Sequence, residues 1–327
     1  MNSTRLKTSA MIASIAAEGQ PTVSAPFGHA LVRAALQRPQ IVGMTADLAK
    51  YTDLHVFAAA FPDRFYQMGM AEQLLFAAAA GMAREGFVPF VTTYAVFAAR
   101  RAYDFIYMAI AESKLNVKIV CALPGLTTGY GPSHQATEDV AIFRGVPNLA
   151  IIDPCDALEI EQATAAIADH NGPVYMRLLR GQVPLLLNEY GYTFELGRAK
   201  MLRDGADVLF VSSGLMTMRV LEAASVLKTD LIDSAVLHVS TIKPLDETTL
   251  LAQMAKPGRL IVIVENHTVI GGLGEAVLAL AMRNGLNGRM RQIGLPDAFL
   301  DAGALPTLHD RYGISTRSLV AQVKSWL

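Results

Sequence analysis

The chain has 327 residues, a formal net charge of −1, 52% hydrophobic residues and only 17% charged residues. At about 100–200 residues per domain, this length predicts roughly two domains. So apolar a composition excludes disorder, and a near-zero charge without a basic block argues against nucleic acid as a partner.

The first segment, residues 1–20, is mildly amphipathic and carries Arg5 and Lys7. It lacks a strong apolar h-region and a clear cleavage site, so it reads as a helical arm packing on a neighbour rather than a targeting peptide. Short β-branched runs then alternate with Ala- and Leu-rich stretches. Strands are predicted at Ile41–Thr45, Val88–Val91, Val117–Ala122, Leu149–Ile152 and Val174–Leu178. Helices are predicted near Phe27–Leu36, Ala71–Glu85, Ala98–Glu112 and Ala157–Asp169. Continuously apolar strands separated by amphipathic helices predict an α/β unit, a mostly parallel sheet with helices on both faces, over residues 21–185. Residues 186–200 belong to a Pro- and Gly-interrupted stretch with little periodicity and read as a linker. The rhythm restarts over 201–327, with strands at Val208–Ser212, Ala235–Val239, Leu260–Val264 and Met290–Ile293 and helices at Leu215–Leu227, Gly274–Arg283 and Thr316–Trp326. This predicts a second, smaller α/β domain.

The low charged fraction leaves little polar surface for two domains, which predicts extensive subunit contacts. No uninterrupted apolar run reaches the roughly 18 residues of a membrane helix. Cys121 and Cys155 form neither a CxxC pair nor a metal spacing. Two isolated cysteines suit a reducing compartment, so a cytoplasmic location is expected.

Gly271-Gly272-Leu273-Gly274 follows a predicted strand and opens a helix, as a phosphate-cradling turn does. It is not GxGxxG, and no acidic residue follows about 20 positions later, so it reads as a structural turn. Glu72 stands at the start of the apolar helix Leu74–Met82. It either answers the helix dipole or, buried, must be paired or protonated and could serve a nitrogen-bearing ligand. Tyr94 and Phe97 leave a strand and read as core or as a ligand platform. His134 lies on the Gly-, Thr- and Pro-rich loop from Gly125 to Gln135, beyond the carboxyl end of a strand, where ligands bind in open α/β sheets.

These signals occur in one order along the chain. Gly69-Met70-Ala71-Glu72-Gln73, Thr93-Tyr94-Ala95-Val96-Phe97, Arg101-Ala102-Tyr103-Asp104 and Gly131-Pro132-Ser133-His134-Gln135 come first. Arg144-Gly145-Val146-Pro147-Asn148, Gly172-Pro173-Val174-Tyr175-Met176-Arg177 and Val264-Glu265-Asn266-His267 follow. With this set the chain, from about residue 20 to its end, resembles the C-terminal portion of transketolase: the pyrimidine-binding domain followed by the transketolase C-terminal domain. The same domain pair occurs in deoxyxylulose-phosphate synthase and in β subunits of 2-oxo acid dehydrogenases.

The resemblance implies thiamine diphosphate and Mg²⁺ as cofactors and the transfer of a two-carbon ketol unit from a ketose to an aldehyde. It implies that Glu72 hydrogen-bonds N1′ of the aminopyrimidine and that Tyr94, Phe97 and Asp47 line the cofactor. It also implies that His134 assists proton transfer at the donor. The family holds the diphosphate and Mg²⁺ in a separate domain through Gly-Asp-Gly and a downstream Asn. Here Asp204-Gly205 lacks the first Gly. The chain therefore resembles the β half of a split transketolase, with an N-terminal (α) partner expected to supply that site in an α2β2 assembly. The alternatives are the β subunit of a 2-oxo acid dehydrogenase or acyloin-forming enzyme, and a non-catalytic scaffold.

Three positions depart from the family pattern. Tyr130 replaces a substrate-contacting Asp, Ala122 replaces a phosphate-contacting His, and Ala49-Lys50-Tyr51 replaces Thr-Pro-Ser. Arg180 matches the family's phosphate-binding Arg. The substrate residues implied are Arg180, Tyr130 and His134, with the acceptor left open. The second domain is expected to make dimer contacts and to place a loop at Glu265-Asn266-His267 near the site entrance.

Overall fold

The computed structural model describes residues 20–327; the expected N-terminal arm lies outside the described residues except for Gln20. The strands are β1 (Thr22–Ser24), β2 (Ile41–Thr45), β3 (Phe65–Gln67), β4 (Val88–Tyr94), β5 (Lys118–Ala122), β6 (Ala150–Ile152), β7 (Val174–Leu178), β8 (Gln182–Pro184), β9 (Lys200–Arg203), β10 (Val208–Ser212), β11 (Ser234–His238), β12 (Thr241–Lys243), β13 (Leu260–Thr268) and β14 (Arg289–Leu295). Two large mixed sheets result, beside a two-stranded antiparallel pair of β1 and β8. The first has seven strands in the order β12-β6-β7-β5-β4-β2-β3, and the second has five, β14-β13-β10-β11-β9. Every pairing in the first sheet is parallel except β12 on β6, and in the second except β9 on β11.

Strands β2, β4, β5, β7 and β10 are buried along their whole length, as strands covered by helices on both faces must be. The helix Pro26–Gln37 starts with a proline, whose missing N–H has no intrahelical acceptor anyway. The helix Ala157–Asp169 is capped by Asp156, whose carboxylate accepts the Glu159 N–H at 2.8 Å. The sequence predicted one helix over Ala98–Glu112. The structure has an α-helix at Ala95–Arg101 and, after a break at Ala102, a π-helix at Phe105–Ala111. Apolar spacing does not distinguish i→i+5 from i→i+4 bonding, so the break had no signal.

The segment predicted as a linker is ordered. Leu187, Tyr192 and Phe194 bury themselves against the first domain's core. The two domains also interlock. Strand β12, from the second half of the chain, completes the edge of the first sheet. In return Leu126, from the first half, is fully buried in the second domain's apolar cluster with Phe210, Leu305 and Leu308. Buried polar contacts join the domains. Arg177 on β7 bonds Asp139 at 2.9 and 3.1 Å, Asp153 at 3.0 Å and the Asn266 carbonyl at 3.0 Å. Glu159 meets His238 at 2.9 Å.

Cys155, Glu159 and His238 lie buried within 4.8 Å of one another, a spacing that could hold a metal ion. The Glu159 carboxylate is already filled by the Cys155 N–H, the Tyr192 hydroxyl and His238. Burial opposes its charge, but His238 and these hydrogen bonds hold its pKa below the usual value, as an ion pair requires. Both cysteines are free and buried. Among the described residues no helix is long and apolar enough to cross a membrane.

Candidate active site

Parallel strands deliver the candidate residues to one end of the first sheet. Asp47 follows β2, Glu72 follows β3, Tyr94 ends β4, the loop with Tyr130 and His134 follows β5, and Arg180 follows β7. Glu72, Asp47, Tyr94, Phe97, Tyr130 and His134 all line a single cavity of about 460 Å³. Of the predicted set, only Arg180 is absent from its lining. Its guanidinium lies 5.8 Å from the ring of Tyr51, which does line the cavity.

Glu72 is the first residue of the helix Glu72–Arg84 and is 4% exposed. Its carboxylate is paired: Arg101 Nη1 donates to Oε1 at 3.1 Å. The same guanidinium lies 3.9 Å over the face of Phe97. The two sequence readings of Glu72 thus combine, since it sits at a helix start and is also buried and ion-paired in a cavity. Arg101 was legible only as part of a motif, because its partner is 29 residues away, at the far side of a helix and a strand.

His134 stands among aromatic rings. Its ring centroid is 5.2 Å from Tyr130, 5.5 Å from Phe97 and 6.0 Å from Tyr94. Tyr94 and Phe97 are 5.6 Å apart. Burial, and then the Arg101 charge, hold the His134 imidazole below its ordinary pKa, which favours the neutral ring at pH 7. Its Nδ1 lies 2.9 Å from Ser133 Oγ. The Tyr130 hydroxyl is buried with no hydrogen-bond partner among the described residues. Burial raises the pKa of both Tyr94 and Tyr130.

Asp47 has a left-handed backbone, φ 58°, a conformation Asp tolerates better than most residues. Gln67 holds it, accepting the Asp47 N–H at 2.7 Å and donating to its carboxylate at 3.3 Å. The backbone beside Arg180 is fixed by Asp53, whose two carboxylate oxygens accept the Gly181 N–H at 3.1 and 3.0 Å. Burial raises the Asp53 pKa to about 6.

The glycine turn is structural, as its sequence suggested. The Leu273 and Gly274 N–H groups donate to Glu265 at 2.7 and 2.8 Å, so the protein's own carboxylate fills the anion position. The loop expected at Glu265-Asn266-His267 is instead the buried end of β13. There His267 is committed to the Ala141 N–H at 3.2 Å and to the Thr268 carbonyl at 2.7 Å. The sequence had no means of showing that β13 runs four residues past its apolar core.

The family pattern of the transketolase pyrimidine-binding domain matches residues 19–184, and that of the transketolase C-terminal domain matches residues 197–319. A transketolase family protein of Sinorhizobium fredii is 73% identical over 324 residues, covering 99% of this chain and 94% of the relative. A transketolase C-terminal section of Methanocaldococcus jannaschii is 36% identical over 299 residues, covering 91% of this chain and 93% of the relative. A solved structure of a split-gene transketolase, an inactive β4 tetramer, superposes with a TM-score of 0.85 at 38% identity, covering 94% of this chain and 98% of that one. The chain belongs to the transketolase family and carries its pyrimidine-binding and C-terminal domains.

Proposed function

We propose that this chain is the β half of a two-subunit transketolase that moves a two-carbon ketol unit from a ketose to an aldehyde. One observation carries the reading: a buried carboxylate, an aromatic slot and an imidazole whose pKa is held low share one cavity at the carboxyl ends of the parallel strands. The residues fit one end of thiamine diphosphate, the family's cofactor. Glu72 offers a desolvated carboxylate to a pyrimidine nitrogen, and Tyr94 and Phe97 offer ring faces. They do not fit the diphosphate end, because the glycine turn that could cradle it is filled by Glu265. Diphosphate and Mg²⁺ therefore fall to an N-terminal partner subunit in an α2β2 assembly, placed in the cytoplasm. Exposed Met70 and Leu74 flank Glu72 and give that partner an apolar face.

Bound thiamine diphosphate supplies a carbanion-stabilising centre. With the cofactor bound, Glu72 would share a proton with the pyrimidine nitrogen, and Tyr94, Phe97 and Asp47 would hold the ring and exclude water. Arg101 covers the Phe97 face, so a cofactor ring placed on that face would have to displace it. His134 exchanges a proton at the donor's hydroxyl or carbonyl oxygen, a task suited to a ring that is neutral at pH 7. Tyr130 narrows the donor pocket, and Arg180 faces an anionic end of the substrate.

The test is to mix the chain with its partner and measure ketol transfer in wild type and Glu72→Gln. The variant keeps size and hydrogen bonding but not the carboxylate. It is expected to lose about 10²–10⁴-fold in kcat, the usual worth of general acid–base catalysis. Wild-type chain alone should turn nothing over. Full Mg²⁺-dependent activity of the isolated polypeptide, or an unimpaired Glu72→Gln complex, would refute the proposal.

A further inference from the structure

The loop that carries Tyr130 and His134 leaves the first domain but is anchored in the second. Leu126 is its root. The side chain is fully buried in the second domain's apolar cluster. Its backbone is clamped from both sides: the Leu126 N–H donates to Asn266 Oδ1 at 2.9 Å, and its carbonyl accepts from His309 Nε2 at 2.8 Å. A carbonyl can only accept, so His309 carries its proton on Nε2. Both clamping residues are themselves buried, and the Asn266 carbonyl is tied to Arg177 at 3.0 Å.

Further attachments follow along the loop. The Gly303 N–H donates to the Gly129 carbonyl at 3.0 Å, and Gln135 Nε2 donates to the Asp301 carbonyl at 3.1 Å. Contact is so close that a Cβ on Gly125 would lie 2.1 Å from the Asn266 carbonyl oxygen, and one on Gly129 would lie 2.0 Å from that of Gly303. Between these fixed points Tyr130 and His134, the two ends of the loop tip, line the cavity. There it is held by a turn bond from the His134 N–H to Gly131, at 3.0 Å, by the first-domain Arg100, which donates to the Pro132 carbonyl at 2.8 Å, and by the packing of the His134 ring against Tyr94 and Phe97.

We propose that Asn266 and His309 of the second domain are positioning residues for His134, acting by clamping Leu126 at the root of its loop. The second domain then contributes to the reaction without touching the reacting atoms. The inference rests on reading the cavity as a ketol-transfer site. Its geometric part, that the clamp sets the place of His134, can be tested apart from that reading.

His309→Leu removes the donor, and His309→Gln returns an amide Nε2 that can reach the same carbonyl. Val323→Ala, in the same apolar cluster but without a hydrogen bond to the loop, serves as the destabilised control. The first readout is the NMR titration of the His134 ring in the isolated chain. His309→Leu should raise the His134 pKa towards the ordinary histidine value, as the tip leaves its buried place. His309→Gln and Val323→Ala should leave it at the wild-type value. The second readout is kcat in the partnered complex. It should fall about ten- to hundredfold in His309→Leu, the scale of an ångström-sized misplacement, with KM for thiamine diphosphate unchanged and with rescue by His309→Gln. If His309→Leu fails to fold, Asn266→Ala, which removes only the acceptor side, carries the same test. An unmoved His134 titration in the clamp variants, or an equal shift in Val323→Ala, would overturn the clamp. A wild-type complex without ketol transfer would instead overturn the proposed function, and the titration would still judge the clamp.

Discussion

Arg177→Met is expected to cost about 3–5 kcal/mol, the loss seen when one partner of a buried ion pair is removed. The side chain is 2% exposed and makes four hydrogen bonds, to both oxygens of Asp139, to Asp153 and to the Asn266 carbonyl. Methionine fills much of the same volume, so the loss is electrostatic rather than a cavity effect. Tyr175 still donates to Asp139 at 2.6 Å and Ser213 to Asp153 at 2.8 Å, which soften the loss without supplying a countercharge. Against a typical total of about 5–15 kcal/mol, the variant gives up a large fraction of its stability.

The pH dependence follows from the sign. Burial already raises the Asp153 pKa, with Arg177 opposing it. Without Arg177 the folded-state value rises further above the unfolded one, so the ionised form is what penalises the fold. The deficit is therefore largest at neutral pH and shrinks as acid protonates the carboxyl. Urea unfolding of both proteins between pH 5 and 8 measures it. Trp326, the single tryptophan, reports on the second domain, and far-UV circular dichroism reports on both. Because Arg177 reaches Asn266 across the interface, the two probes should separate in the variant if they coincide in wild type. A loss below about 1 kcal/mol at pH 7, or a deficit that does not shrink in acid, would refute the reasoning.

Asp53→Asn should stabilise the protein at pH 7. The raised pKa of about 6 means that ionised Asp53 disfavours the fold, and wild-type stability falls as pH rises from the ordinary carboxylate range through 6. A gain of about 1 kcal/mol is expected after the weakened attraction to Arg180 is deducted, with the gain vanishing near pH 4; a less stable variant with an unchanged pH slope would contradict this. Gly129→Ala should cost kcat in the complex by tenfold or more, because the new Cβ would meet the Gly303 carbonyl at 2.0 Å and push the His134 loop outward. Wild-type kcat in Gly129→Ala would show that the loop tip tolerates displacement.

The sequence by itself determined the layered α/β architecture. Short runs such as Ile41–Thr45, and Val174–Leu178 with Arg177 as its single charge, read as covered strands, and the structure has strands with those bounds. It also pointed to six of the residues that line the cavity, while Arg180, named with them, lies outside the lining. Parallel strands point their carboxyl ends the same way, so Tyr94 and His134, which follow the predicted strands Val88–Val91 and Val117–Ala122, share one end of the sheet; Glu72 joins them through the short β3, which carried no pattern.

What the tertiary structure alone decided are contacts between residues with no local relation. Arg101 on Glu72 and Glu265 in the glycine turn are side-chain pairings that backbone periodicity does not encode. The short strands β3, β8, β9 and β12 carry too few residues for a pattern; β12 exists only because the edge of β6 lies open to it. The clamp on Leu126 joins positions 140 and 183 residues apart in the chain. Such a contact has no local signal, because its energy comes from burying Leu126 and pairing its backbone inside the other domain.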